Sequence, residues 1–262
     1  MGTGQDGGEA ALSTEIKIRP LTEHAEFDRC AEIQDMVWSY EPSARMSQKT
    51  YLLASQIGGQ VLGAFDGQTI VGYAMSLPGV RNGHAYLHSH HLAVLPEWRN
   101  AGVGRRLKLA QRDDALARDF ELIEWTFDPL EIKNAYLNIA RLGAIVRRYR
   151  RNFYGATTSP LQGGLPTDRL VAEWWLKSDR VERILRGEQS NARIEAQVDV
   201  PAAIYEWKAL SDKRDAARSL QAANADALEA AFARGLAVLG YQRNQQGDGS
   251  FLLGKWNEEF SY

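Results

Sequence analysis

The chain has 262 residues with 31 Lys and Arg against 33 Asp and Glu, a formal net charge of -2. That near balance gives no global field for a polyanion such as bulk nucleic acid. The lone cysteine, Cys30, has no partner within the chain for a disulfide, which points to a reducing, cytoplasmic setting. No apolar run approaches the roughly 20 residues of a membrane span, so neither a membrane nor a nucleic acid is expected as a partner.

Residues 1–14 contain neither the basic region nor the apolar stretch of a leader and read as a disordered tail. Residues 16–20 alternate and end at Pro20, as a short strand does. Over 23–38, Phe27, Cys30, Ile33 and Val37 fall at helical spacing. Runs 61–65 and 69–77 read as strands joined by a tight turn at Asp66-Gly67, with a loop over 79–83 and a third strand over 84–95. On period two, His84, His88 and His90 share one face of that strand and His91 the other.

Past Pro96 the pattern turns helical over 103–120, with Val103, Leu107, Ala110 and Ala117 forming an apolar stripe. A strand over 121–127 stops at Asp128-Pro129, where Asp128 is a candidate cap for a helix that runs to Leu142 and Gly143. Strands over 144–154 and 170–177 flank a Gly/Pro/Ser/Thr loop. Residues 185–191 are a candidate linker. A strand over 192–200, two helical stretches and a hairpin over 236–243 and 250–256 follow. The expected domains are 15–183 and a smaller α+β extension, 184–262.

The chemistry-bearing stretch is strand, glycine loop, helix: Leu92-Ala93-Val94-Leu95-Pro96-Glu97-Trp98-Arg99-Asn100-Ala101-Gly102-Val103-Gly104-Arg105. A helix N-terminus offers unpaired amides and a partial positive charge, and glycine lets phosphate oxygens approach them. A dinucleotide fingerprint would need a third glycine directly after the strand, and a Walker A loop would need Gly-Lys-Ser/Thr where Gly104-Arg105-Arg106 stands.

Arg-x-x-Gly-x-Gly after Val-Leu-Pro resembles the acyl-CoA signature of the GNAT superfamily of acyltransferases. Asn134-Ala135-Tyr136-Leu137-Asn138-Ile139-Ala140-Arg141-Leu142-Gly143 resembles that family's second motif, and the likeness spans residues 16–177. Asp128-Pro129-Leu130, Asn152-Phe153-Tyr154-Gly155 and Gly164-Leu165-Pro166-Thr167-Asp168-Arg169-Leu170 are similar to a bacterial subgroup with a C-terminal extension.

The resemblance implies an α/β fold: a mostly antiparallel sheet with a local parallel splay, flanked by helices. It implies acetyl-CoA or another acyl-CoA as co-substrate and no metal. It also implies direct attack by the primary amine of a small-molecule acceptor on an acyl-CoA, most often acetyl-CoA; the arginine supply of the chain points to an amino acid as acceptor or to a dicarboxylic acyl group such as succinyl. Backbone groups at Leu92, Ala93 and Val94 would hold the pantetheine arm. Asn100, Ala101, Gly102, Val103, Gly104 and Arg105 would hold the pyrophosphate, with Arg99 and Arg105 as phosphate partners and Asn134 as a further contact.

Many members use a tyrosine four residues before the Leu-Gly glycine to protonate the leaving thiolate; here that position is Ile139. Tyr136 and Asn138 are the substitutes, and His90 is the candidate general base. His88-x-His90 could also chelate a metal, but no cysteine or acid lies at matching spacing. Without the tyrosine, a non-catalytic acyl-CoA sensor is the competing reading, and an RNA- or protein-modifying acyltransferase a third.

Arg147-Arg148-Tyr149-Arg150-Arg151 reads as a solvated edge strand, or as a source of one arginine for a carboxylate. Of Trp174 and Trp175, one should pack in the core and the other against a substrate loop. Cys30 should be core. The extension closes the acceptor site or makes a homodimer.

Overall fold

The computed structural model describes residues 15–39, 45–155, 162–188 and 192–256. The expected N-terminal tail, most of the glycine-rich loop before Gln162 and the end of the candidate linker lie outside them. In chain order the elements are β1 (Lys17–Pro20), α1 (His24–Trp38), α2 (Gln48–Gln56), β2 (Gln60–Asp66), β3 (Thr69–Arg81), β4 (His84–Val94), α3 (Val103–Ala117) and β5 (Leu122–Phe127). They continue with α4 (Ile132–Ala135), a π-helical turn (Tyr136–Arg141), β6 (Ile145–Arg150), β7 (Arg169–Trp175) and α5 (Asp179–Leu185). The chain ends with β8 (Ala196–Val200), α6 (Ile204–Ala209), α7 (Arg214–Ala233), β9 (Leu236–Arg243) and β10 (Gly249–Lys255).

All ten strands form one sheet, ordered β1-β2-β3-β4-β5-β7-β6-β9-β10-β8. Every neighbour pair is antiparallel except β4 and β5. The strands after residue 192 extend the sheet formed by the preceding strands, reaching it through the pair Val146↔Val238. Side chains strengthen that narrow seam. One apolar cluster runs from Leu87, Ile123 and Trp174 to Val238, Phe251 and Leu253, with Ala225 and Leu228 of α7 laid over it.

Two hairpins follow from glycine geometry. Gly67 turns β2 into β3 with φ 57°. Asn82 and Gly83 both take positive φ, the pair a two-residue hairpin requires. The expected loop over 79–83 is therefore mostly strand, and β3 pairs with β4 through Arg81↔His84. Two helices escaped the sequence reading. In α2, Tyr51 and Ala54 face inward; α5 is capped by Ser178, whose hydroxyl accepts from Val181 N. The expected helix before Gly143 is one α turn followed by the π turn, and Gly143 closes it at φ 84°. Asp128 is not the cap residue, which is Glu131; Asp128 Oδ1 instead accepts from Leu130 N at 2.8 Å.

The inward face of α3 also differs from the expected stripe. Lys108 and Gln111 are buried alongside Val103, Leu107 and Ala115. Helices α1 and α2 cover one face of β2, β3 and β4, while α3 covers the other. On the α1 side of the second half of the sheet, a small cluster of Leu122, Ile145, Trp175, Ala237 and Leu239 is sealed by Ala192 and Trp256. Trp174 and Trp175 both belong to the core, on opposite faces, so neither packs on a substrate loop. Cys30 is wholly buried, and burial pushes its thiol pKa up.

Phe251 is fully buried in the cluster that joins the two parts of the sheet. Phe251→Ala is expected to cost about 3–5 kcal/mol in urea unfolding, whereas Val80→Ala at an exposed site should stay within about 0.5 kcal/mol. A loss below about 1 kcal/mol for Phe251→Ala would mean the seam is not a shared core.

Candidate functional site

The parallel pair β4–β5 is short. Leu87 faces Ile123 and His88 faces Glu124, and pairing then ceases. From Ser89 onward the β5-facing edge of β4 has no partner strand among the described residues, and its pairing with β5 ends. A bulge marks the same spot: Met75 pairs with His91 but Ser76 with Ser89, so His90 is an extra residue in β4.

The bulge corrects the expected alternation. His91 does not face away from His90; the rings stack at 4.6 Å and 18° on the side covered by α1 and α2. His91 is anchored there, its Nδ1 2.9 Å from the Tyr73 hydroxyl, which lies 2.9 Å from the Tyr51 hydroxyl, with Trp38 against the ring at 4.7 Å. Burial, then His90, drives the His91 pKa down to about 3, and burial lowers His88 to about 4. His90 itself is exposed by accessible surface, yet the protein mass around it lowers its pKa as well. All three are neutral at pH 7.

At the far end of the unpaired edge lies the glycine loop. Pro96–Trp98 form one 3-10 turn, Asn100 takes φ 64°, and Gly102, at φ 77°, is the N-cap of α3. A cap without a side chain leaves the amides of Val103, Gly104 and Arg105 without a side-chain acceptor. Space in front of Gly102 is open, since a Cβ there would meet nothing within 4 Å. Gly104 lies over Leu92 and Val94, and Arg99 Nε donates to Val94 O at 3.2 Å, tying the loop to the strand. The Arg105 Nε is buried with no hydrogen-bond partner among the described residues. Leu92, Ala93, Val94 and the loop 99–105 are thus brought into one continuous surface.

The motif after β5 sits differently. Asn134 is exposed. Tyr136 lies with its ring 5.9 Å from the Arg243 guanidinium of β9. Asn138 is buried, its Nδ2 without a partner among the described residues, and Ile139 is wholly buried in the large core cluster.

The residues that sequence reasoning missed lie on the open face between α1 and the Ala192/Trp256 seal. Glu124 of β5 and Glu173 of β7 are buried in mid-strand. Arg81 grips Glu124 through two bonds of 2.7 Å, Arg148 reaches both glutamates, and Arg147 bonds Glu173. Burial alone would raise the Glu124 carboxyl, but Arg81 and Arg148 overcome it and hold it below the usual range. β6 is not a solvated edge, since it lies between β7 and β9. A bulge at Arg147 turns Arg147 and Arg148 to the same side. The signal was present as an acid in the middle of each apolar run, Leu-Ile-Glu-Trp and Val-Ala-Glu-Trp, together with the arginine run.

Among the described residues no three His, Cys, Asp or Glu side chains converge on a metal position, and no helix is long and apolar enough to cross a membrane.

Residues 27–135 match the model of the acetyltransferase (GNAT) family. No curated protein sequence matches the chain. Among solved structures, a protein described as a GNAT-family acetyltransferase from Desulfovibrio desulfuricans is similar at 14% identity and a TM-score of 0.51, over 62% of this chain and 99% of that one. The ribosomal-protein-S18-alanine N-acetyltransferase from Escherichia coli is similar at 17% identity and a TM-score of 0.50, over 63% and 96%. An acetyltransferase-like protein from Salmonella typhimurium, solved with acetyl-CoA, is similar at 17% identity and a TM-score of 0.51, over 63% and 95%. At these identities the likeness is one of fold.

His91 gives a pH test. The unfolded chain takes up a proton near pH 6.5, whereas the folded chain does so only near pH 3. Stability therefore rises with pH across that window. His91→Gln should make the slope of unfolding free energy between pH 4 and 6 shallower by up to about 1.4 kcal/mol per pH unit. An unchanged slope would mean that His91 is protonated in the fold.

Proposed function

We propose that this chain is a GNAT-superfamily acyltransferase that transfers an acetyl or other short acyl group from acyl-CoA to the primary amine of a small metabolite. The observation that carries the reading is the uncapped first turn of α3, set at the end of a strand edge that no other strand pairs.

The residues present suit acyl-CoA. Open space at Gly102, the uncapped first-turn amides and the Arg105 Nε, unpaired among the described residues, suit the charge of a pyrophosphate. The unpaired edge of β4 offers the Leu92 amide and carbonyl and the Val94 amide to the pantetheine arm, Ala93 being turned toward β3. Arg99 commits its Nε to Val94 O and keeps its two terminal nitrogens for phosphate. When bound, acyl-CoA supplies an activated thioester, and the protein need form no covalent intermediate.

The work left to the chain is orientation and proton handling. His90, neutral and exposed beside the gap, accepts a proton at its imidazole from the acceptor ammonium, directly or through water. Its stacking on His91, which Tyr73 and Tyr51 fix in place, holds the ring in position. The family's thiolate-protonating tyrosine has no counterpart at Ile139. Asn138 Nδ2, a buried donor without a partner among the described residues, is the candidate to hydrogen-bond the departing sulfur; Tyr136 lies against Arg243 of β9, three strands beyond β5, and is set aside. The burial of Ile139 favours the sensor as the second reading, in which acyl-CoA binds and no amine is acylated.

Gly102→Trp would fill the open space at the cap and should weaken acetyl-CoA binding at least tenfold by calorimetry; unchanged affinity would remove the cradle. His90→Ala should lower kcat by about 10²-fold with acetyl-CoA affinity unchanged, read by thiol release over an amine panel. Wild-type turnover would remove His90 as base. Tight acetyl-CoA binding with no thiol release for any amine would establish the sensor.

A further inference from the structure

The open face beside the histidines carries a second built feature. Glu124 and Glu173 have side chains 3% exposed, whereas Arg81 and Arg148 keep 29% and 27% of theirs in solvent. The acids lie beneath and the guanidiniums above. Each carboxylate is enclosed by two guanidiniums: Glu124 by Arg81 and Arg148, and Glu173 by Arg147 and Arg148. A ligand arriving on this face therefore meets guanidinium rather than carboxylate.

Position and donor accounting give the feature a direction. His88 is the cross-strand partner of Glu124 at the last paired step of β4 and β5. His90 lies 6.2 Å from His88, ring to ring. Arg81 is pinned by its two-bond grip on Glu124, and its guanidinium lies 4.7 Å from the Tyr86 ring. Arg148 spends Nε on Glu173 and NH2 on Glu124, so its NH1 donors have no protein acceptor among the described residues. Both groups are pre-oriented by buried acids, which lowers the ordering cost of gripping an anion.

We propose that Arg81 and Arg148 form a carboxylate-binding subsite for the acceptor, and that the amine this protein acylates belongs to a molecule bearing a carboxylate, of the amino-acid class. The inference rests on the acyl-transfer reading for its biological sense and adds the substrate class. Polyamines and other polycations are excluded by the same geometry, because the acids that would attract them are covered by guanidiniums.

The test is read by binding, so it does not depend on turnover. Full-length protein saturated with CoA is titrated with N-acetyl amino acids, with the primary amide of each, and with spermidine. The carboxylates should bind at least about tenfold tighter than their amides, the weight of one charge-assisted pair. Arg81→Gln should remove most of that preference. Arg148→Lys, which keeps the charge but loses the planar fork, should reduce it without disturbing CoA affinity. Equal affinity for acid and amide in the wild type, a preference for spermidine, or no binding of any carboxylate would overturn the subsite, whatever the variants do. A carboxylate preference without acylation of any amine would sink the acyl-transfer reading and leave the subsite standing. Acylation that ignores the carboxylate would do the reverse.

Discussion

The arrangement depends on two strands that pair for only two residues. If β4 and β5 stayed hydrogen-bonded along their length, the amides and carbonyls of residues 89–94 that point away from β3 would be consumed by the sheet. Because pairing ends after His88 and Glu124, that edge is left for something else. Buried backbone groups need partners, so an unpaired strand edge inside a sheet calls for a ligand. The bulge at His90 belongs to the same departure. One extra residue bends β4 and increases its local twist, and it also sets His90 and His91 on one face.

What fills the underside of the gap is unusual for a sheet core. Lys108 of α3 is buried, its Nζ 3.1 Å from Ser89 Oγ, 2.9 Å from Gln111 Oε1 and 3.8 Å from the centre of the Trp125 ring. Burial lowers its pKa well below the ordinary lysine value. Gln111 continues the network through Ser76 to Gln60 and Asp114. Every member reaches a partner, as a buried polar chain must to be tolerated. The network ties α3 to β2, β3 and β4, and so holds the helix whose N-terminus forms the loop. The faces of the gap are chemically distinct, with neutral histidines and guanidiniums on one side and an apolar core with one polar seam on the other.

Much of this was legible because the decisive signals were local. The loop 99–105 announces itself by two glycines before a helix, and Asp66-Gly67 by the turn it must make. Asn82-Gly83 carried an equally local signal that was read as loop, although two adjacent residues suited to positive φ mark a tight hairpin. The bulges at His90 and Arg147 were not legible. Period-two alternation has no term for an extra residue, and both bulges depend on pairing partners distant in the chain. The inward turn of Lys108 and Gln111 was hidden for a related reason, since a helix face that meets a gap rather than a packed sheet need not be apolar. The burial of Glu124 and Glu173 could have been inferred, because an acid in the middle of an apolar strand requires a cation, and the run 147–151 supplied one.

The account stands on the amides at the start of α3 binding the pyrophosphate of acyl-CoA. Amide hydrogen exchange over residues 99–106, with and without acetyl-CoA, reads those groups directly. The expected result is strong protection of Ala101 through Arg105 and of the free β4 edge, with little change in β8 to β10. Protection confined to another part of the chain, or none at saturating acetyl-CoA, would contradict the account.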